Sequence, residues 1–335
     1  MKNLLHYVIR SGFLSLLFLF YFTPASKAQH FIIGGGKVKV EAGLNFGPTF
    51  FLGDLGGHRG KGTTFIKDLN LPLTKLMKGA FITFSPNDWL GFRVAAQYTY
   101  VEGQDRIIKT SGEDELYRKQ RNLDFKSNMF EAYGAIEIFP LMWLNKNDEE
   151  YDPLFRPYIF GGVGMFTFNP KGTTTDQYGN VTWHELKPLH TEGQGFAEYP
   201  SRKPYALTQV NIPMGGGIKY MASNRLNIAV ELLYRKTFTD YIDDLSTDYI
   251  DPKLFDKYLK PADAIVAREI FDKAFSGNVA GSPRFLSEPG YQRGNPKNMD
   301  AYFSFALKIG IRLGDTYGSS SDRNAAGKTR CPARF

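Results

Sequence analysis

Cysteine is almost absent from this chain of 335 residues: Cys331 stands alone. One thiol excludes an intramolecular disulfide framework and any zinc module built on several cysteines. Long apolar runs are scarce too. Residues 13–22 form the longest, and nothing later approaches the roughly 20 residues that a membrane-crossing helix needs. Membrane residence of the later chain would therefore have to rest on strands. A large charge excess is also lacking, since the formal +7 falls to +4 if a leader carrying Lys2, Arg10 and Lys27 is removed. So mild a balance argues against a nucleic-acid partner.

Signatures of chemistry are equally thin. His30, His58, His184 and His190 are the histidines beyond the leader, and the WHELKPLH stretch around the last two matches no zinc spacing. Ser201 sits beside Arg202 with no pattern linking it to a histidine and an acid, as a nucleophile would require. Gly161-Gly162-Val163-Gly164 and Gly215-Gly216-Gly217 fall inside strand-like stretches, where glycine permits bends and close packing. Neither run opens a helix, so no phosphate cradle is expected. The expectation is a protein that is not an enzyme, with no cofactor, no metal and no small-molecule substrate.

What is present begins with a leader. Lys2 and Arg10 precede the apolar run, and Ser26-Lys27-Ala28 supplies small residues at the cleavage positions. Residues 1–28 read as a secretory signal peptide, with the mature chain expected to start at Gln29 and no cysteine there to accept a lipid. Aromatic residues make up 15% of the chain, a level suited to rings that face lipid and its interfaces.

Period-2 ladders then recur. In 302–313, Phe303, Phe305, Leu307, Ile309, Ile311 and Leu313 alternate with Ser304, Ala306, Lys308, Gly310 and Arg312. Val38 to Phe46 alternates in the same way, followed by a weaker ladder with Ala80, Ile82 and Phe84 outward. Further ladders run through 90–100, 130–138, 158–168, 209–220 and 226–235. The pattern predicts an all-β fold: a transmembrane, antiparallel, up-and-down β-barrel of about eight strands over 29–313. A soluble barrel or sandwich is the competing architecture, but it rarely sets charge opposite large apolar groups. The wet faces carry Arg93, Lys219, Arg235, Lys308 and Arg312 with Glu41, Glu131, Glu137 and Glu231. These nearly cancelling charges are expected to pair as a polar network in the lumen. So small a barrel has no room for an aqueous channel.

The connections support this reading independently. Short or medium links (85–89, 140–156, 222–225) alternate with long ones (52–77, 102–127, 169–204, 239–299). Short periplasmic turns and long outer loops have this arrangement, which places both termini in the periplasm of a Gram-negative envelope. Within the longest loop, the apolar spacing of 251–275 predicts short amphipathic helices broken at Pro261 and folded over the mouth. Its acidic entry, with Asp240, Asp243, Asp244, Asp248 and Asp251, lacks the ligand alternation of a calcium loop. A solvated acidic turn is the expectation there. After the last ladder comes a flexible tail, 314–335, with Arg323, Lys328, Arg330 and Arg334 around Cys331 and Pro332. It reads either as a disordered overhang or as a docking segment, with Cys331 able to form an intermolecular disulfide in an oxidising space.

Several stretches, in order along the chain, resemble a family of small outer-membrane barrels from Bacteroidota that includes the PorG-like subunit of the type IX secretion system. They are Gly53-Asp54-Leu55-Gly56-Gly57, Arg121-Asn122-Leu123-Asp124-Phe125-Lys126-Ser127, Pro157-Tyr158-Ile159-Phe160-Gly161-Gly162-Val163-Gly164 and Phe168-Asn169-Pro170-Lys171. Thr191-Glu192-Gly193-Gln194-Gly195, Leu207-Thr208-Gln209-Val210-Asn211-Ile212-Pro213, Gly215-Gly216-Gly217-Ile218-Lys219-Tyr220 and Arg235-Lys236-Thr237-Phe238-Thr239-Asp240-Tyr241-Ile242-Asp243-Asp244 continue the series. The resemblance implies a non-enzymatic barrel that docks a periplasmic lipoprotein ring to the outer membrane. The tail residues Arg323, Lys328, Arg330, Cys331, Pro332 and Arg334 are the expected contact with that ring. One departure is that the closing ladder ends at Leu313 and a tail follows, where such barrels often end on a strand with a terminal aromatic. The alternative function is a surface-binding or adhesive barrel acting through its long outer loops.

Overall fold

The structure, a computed structural model, describes residues 32–33, 36–55, 74–108, 113–148, 151–274 and 287–313. The leader and the 314–335 tail, with all six expected partner-binding residues, lie outside the described residues. A two-residue pair, β1 (Ile32–Ile33) with β2 (Gly36–Lys37), precedes the main body. Eight long strands follow: β3 (Lys39–Leu52), β4 (Lys75–Asn87), β5 (Leu90–Gln104), β6 (Asp124–Ile138), β7 (Phe155–Thr175), β9 (Thr208–Met221), β10 (Leu226–Thr237) and β11 (Ala301–Leu313). A short strand, β8 (Val181–Glu185), hangs on β7.

All pairings are antiparallel, and the ring closes where the last strand meets the first. Ala301 pairs with Leu52 and Leu313 with Val40. The β7–β9 pairing bypasses β8, so eight strands form a closed up-and-down barrel with no free edge in its wall. Closure satisfies the backbone within the wall, the condition for a chain that crosses lipid without helices. No helix among the described residues is long and apolar enough to cross a membrane.

Period-2 sequence becomes period-2 burial. Leu44, Val94, Phe130, Val163, Val230 and Ile311 stand on the outer wall, with Val163 as much as 73% exposed. Their neighbours one residue away turn into the lumen. An outward band of aliphatic and aromatic groups is stable against hydrocarbon and costly against water, so the wall is lipid-facing. Rings collect at its margins: Trp143, Phe155 and Tyr220 at the end with short turns, Tyr98 and Tyr100 at the other. The amines of Lys75 and Lys78 lie 5.0 and 5.8 Å from the centres of the Tyr100 and Tyr98 rings, as interfacial lysines do.

The turn end holds the β4–β5 and β9–β10 turns and a helix, α1 (Pro140–Leu144). Ser223 shapes the second turn by accepting the Leu226 amide through its hydroxyl at 2.9 Å. Proline at the first helical position starts α1, where its missing N–H costs nothing.

The opposite, loop end is a folded cap. Helices α2 (Leu254–Tyr258) and α3 (Pro261–Phe271) flank Pro261 as the apolar spacing predicts. Ala264, Ala267, Ile270 and Phe271 face inward onto Tyr249, Ile250 and Phe255 in a second apolar core above the barrel. The 169–204 connection differs from its reading as one loop. Residues 169–175 extend β7 beyond the wall, and 181–185 return as β8. Thr173, Thr174, Thr175 and Val181 favour extended backbone, while Asp176 closes the turn by accepting the Tyr178 and Asn180 amides at 2.9 and 2.8 Å.

Candidate functional site

Three regions hold the chain's concentrated polar groups: the lumen, the turn end and the cap. The lumen follows from the inward faces of the strands. Arg93 on β5 bonds Glu137 on β6 and donates through Nη2 to Glu231 on β10 at 2.7 Å. Lys308 on β11 lies 3.2 Å from Glu231 and 3.7 Å from Glu137. Tyr158 donates its hydroxyl to Glu231 at 2.7 Å. Towards the loop end, Arg235 pairs with Glu131 at 3.2 Å and donates to Ser304 Oγ at 2.6 Å. Asn211 and Gln97 also donate to Glu131. Lys219 pairs with Glu41 at 2.9 Å near the turn end.

Aromatic rings fill the remaining space. Phe81, Tyr158 and Phe160 surround Arg93 and Lys308, with the Lys308 amine 4.2 Å from the centre of the Phe81 ring. Glycine makes room for them. A Cβ at Gly215 would lie 2.8 Å from Phe160 Cζ and 1.9 Å from the Leu232 carbonyl oxygen. Above Arg235, Phe166, Phe168, Tyr205 and Tyr302 form an apolar layer with Phe125 and Met129. The lumen is thus occupied by buried ion pairs and rings. Such pairs add little net stability over an apolar core, but each charge depends on its partner.

Seven of the eight expected lumen residues, Arg93, Glu131, Glu137, Lys219, Glu231, Arg235 and Lys308, meet in this interior, joined by Glu41. Arg312 is the exception. It lies at the turn end, half-buried, and donates to Met221 Sδ at 3.6 Å. The strand period turns Arg312 inward, opposite Glu41 in the register with β3, but at the penultimate position of β11 it forms no ion pair with a lumen acid among the described residues, and Glu41 pairs with Lys219 instead.

Arg312 instead borders a basin of about 790 Å³ at the turn end. The β4–β5 turn contributes Asp88 and Trp89, the α1 connection Lys146, the start of β7 Arg156, and the β9–β10 turn Ser223. Arg156 pairs with Asp152, and Lys39 with Asp88 at 2.5 Å. A smaller recess of about 30 Å³, lined by Lys39, Glu41, Phe139, Lys219 and Arg312, lies beneath it towards the lumen.

The cap holds the third group, which corrects the reading of a solvated acidic turn. Asp240, Asp243 and Asp244 are buried, together with Asp105, Glu192 and Asp300. The loop that carries them is packed between Leu55, Tyr205, Ile242 and Leu245 rather than facing water. Arg121 is held by Asp105 through contacts of 2.7 and 3.0 Å. Arg293 donates to Glu192 at 2.9 Å, and Glu192 also accepts the Ser246 and Thr247 amides. Asp244 accepts the Thr191 and Tyr205 hydroxyls at 2.5 and 2.7 Å. Burial pushes Asp244 up to about 6 against the pull of Arg293. Sequence reasoning missed Glu192, Arg293 and Asp300 as members of this group, because their loops meet only in space.

Elsewhere the singled-out residues stay apart. His184 shares a hydrogen bond of 2.9 Å with Thr174, His190 packs against Phe196 in a left-handed backbone with φ 49°, and Ser201 is exposed. Among the described residues no three His, Cys, Asp or Glu side chains are grouped so as to hold a metal ion.

No protein-family model matches the chain, and no characterised protein matches it in sequence. Solved outer-membrane barrels do match in structure. Ail, the attachment invasion locus protein of Yersinia pestis, is 8% identical, with 82% of this chain and 97% of that one covered at a TM-score of 0.30. Neisserial surface protein A is 9% identical over 82% and 97% with the same score. OprG of Pseudomonas aeruginosa is 11% identical over 83% and 96%, again at 0.30. Likeness at this level carries no argument about site or activity. The chain's own strand register and apolar wall make it an eight-stranded barrel of the outer-membrane type.

Proposed function

We propose that the protein is a non-enzymatic outer-membrane scaffold that acts through its turn end, facing the periplasm, with both termini on that side. The finer reading is a barrel component of the type IX protein secretion system that docks a periplasmic lipoprotein ring to the outer membrane. The observation that carries it is the contrast between the two ends. Ion pairs and rings fill the lumen and a packed cap covers the loop end, whereas the turn end opens into a basin of about 790 Å³ beside the point where β11 leaves the wall. A filled small barrel is a poor conduit, and an open concave face is where a partner can seat. The resemblance to Bacteroidota secretion barrels supports the ring as that partner.

In this reading the tail residues Arg323, Lys328, Arg330, Cys331, Pro332 and Arg334 extend the contact, and Cys331 is available for a disulfide with the ring. Two changes test it in cells of the native host: deletion of 314–335, and Arg312→Glu in the basin. Secretion is expected to fall in both while the barrel keeps its heat-modifiable migration and normal surface loops. Unchanged secretion in both would remove the scaffold reading. Cys331→Ser is expected to abolish a high-mass species on non-reducing gels; an unchanged pattern removes the disulfide alone.

A second reading, a surface-binding barrel, is favoured by one observation: the β7–β8 hairpin exposes Tyr178 and Val181 above the wall. Loss of surface binding with intact secretion after replacement of 176–180 would select it.

A further inference from the structure

We propose that the cap is closed by a proton-dependent latch: uncharged carboxyl groups of Asp54, Asp240, Asp243 and Asp300 hold three loop-end segments together, and their ionisation loosens the cap over the barrel mouth. This inference is independent of how the turn end acts.

The four side chains come from separate places in the chain that the topology makes neighbours. Asp54 follows β3, Asp240 and Asp243 follow β10, and Asp300 precedes β11; in the wall β11 lies between β3 and β10. Their bonds run across these segments. Asp243 accepts the Leu55 amide at 3.0 Å as well as its own loop's Leu245 amide at 3.1 Å. Asp300 accepts the Ile242 amide at 2.8 Å, and Asp54 accepts the Asn295 amide. Closure of the cap therefore brings four carboxyls into one buried region.

Charge is not balanced there. Of the two buried arginines in the cap, Arg121 forms its salt bridge with Asp105 and Arg293 with Glu192. Among the described residues none of the four aspartates forms a salt bridge. Neither oxygen of Asp240, which is 4% exposed, has a hydrogen-bond partner, and Asp300, 1% exposed, leaves Oδ1 without one. The Ser246 hydroxyl lies near Asp240 and opposes the effect of burial on it. A buried carboxylate with neither cation nor donor is costly enough that the group takes up a proton instead. Among the described residues, the charged and titratable groups that act most on the four are Arg118, Arg121 and Glu192 about Asp54; Asp54, Asp243, Glu192 and Tyr241 about Asp240; Asp54 and Arg121 about Asp243; and Asp54, Asp240 and Asp243 about Asp300. Acids without a base stand about Asp240 and Asp300, whereas Arg118 and Arg121 lie about Asp54 and Arg121 about Asp243. Among the described residues no three His, Cys, Asp or Glu side chains are grouped so as to hold a metal ion.

Burial, opposed by Arg121, pushes Asp54 up to about 6. Burial, reinforced by Asp243 and Asp54, pushes Asp240 up to about 9. Asp243 and Asp300 are raised well above the ordinary carboxyl value by the same causes, burial first. A carboxyl whose folded value is raised contributes stability that is fully present below its unfolded value, here 3.8, and is lost as pH rises through the folded one. The latch thus weakens progressively above 3.8, with the Asp54 contribution gone by about 6 and the Asp240 contribution by about 9.

Spin labels on the full chain in lipid vesicles test this, placed at Lys253→Cys beside the cap and Ser223→Cys on the turn end, both exposed sites, in a Cys331→Ser background. The distance distribution between them is expected to broaden reversibly as pH rises through that range. Asp240→Asn with Asp300→Asn, which keeps these two positions neutral at every pH, is expected to remain narrow to the top of the range. Should that pair fail to give heat-modifiable folded barrels, Asp54→Asn alone serves, and is expected to move the onset of broadening to higher pH. A wild-type distribution that stays narrow overturns the latch. So do an Asn variant that broadens over the wild-type range, and calcium chloride that prevents the broadening, which would assign the charge balance to a bound cation.

Discussion

At the scale of single residues, the lumen distinguishes side chains that look alike in sequence. Arg93 and Arg312 occupy the same kind of wet-face position on their strands, yet Arg93 is enclosed by two carboxylates and Arg312 by none at bonding distance. Replacing Arg93 by Leu leaves Glu137 and Glu231 with Lys308 as their remaining cation, and stability is expected to fall by about 3–5 kcal/mol. Arg312→Ala is expected to change it by less than about 0.5 kcal/mol. Urea unfolding in lipid vesicles, followed by tryptophan fluorescence, measures both. Equal losses in the two variants would contradict the placement of Arg312 outside the network. That difference was not legible in the alternation, because period 2 states the face a residue points to and not its depth along the barrel.

Elements show where local sequence suffices and where it does not. The alternating ladders, Pro261 between two short helices, and glycines inside strands were all readable, because each reflects backbone geometry within a few residues. The glycine run of β9 is the sharpest case. Gly215→Val would drive a methyl-bearing carbon against the Leu232 carbonyl of β10 and the Phe160 ring. A loss of about 3 kcal/mol follows from overpacking against a backbone that cannot yield without breaking pairing; the temperature at which the heat-modifiable band shifts reports it. An unshifted band would mean that the strands separate there. By contrast, the extension of β7 and its partner β8 were hidden inside a polar stretch. Threonine and valine favour strands only weakly, and register with β7 supplied the rest.

For the whole molecule, the ends of the barrel differ. The cap has its own apolar core around Phe255 and Phe271, while the turn end is concave and lined with mixed charge. With the lumen filled between them, planar bilayers holding the full chain are expected to show no conductance steps at neutral pH. Regular open steps there would refute a blocked lumen and return transport to consideration.

Sequence alone determined the class of this protein. Alternation over eight stretches, scarce cysteine and the absence of a second long apolar run leave strands in lipid as the consistent solution, since one face of each ladder must leave water. It also determined which charges turn inward on the wall. Tertiary structure decided which of those charges meet, that Arg312 stays outside, and that the acids after β10 are buried with Asp54 and Asp300 instead of hydrated. The reason is distance along the chain. Pairing of β3, β10 and β11 unites loops more than 180 residues apart, as in the bond from Leu55 to Asp243, and such a meeting has no local pattern to announce it.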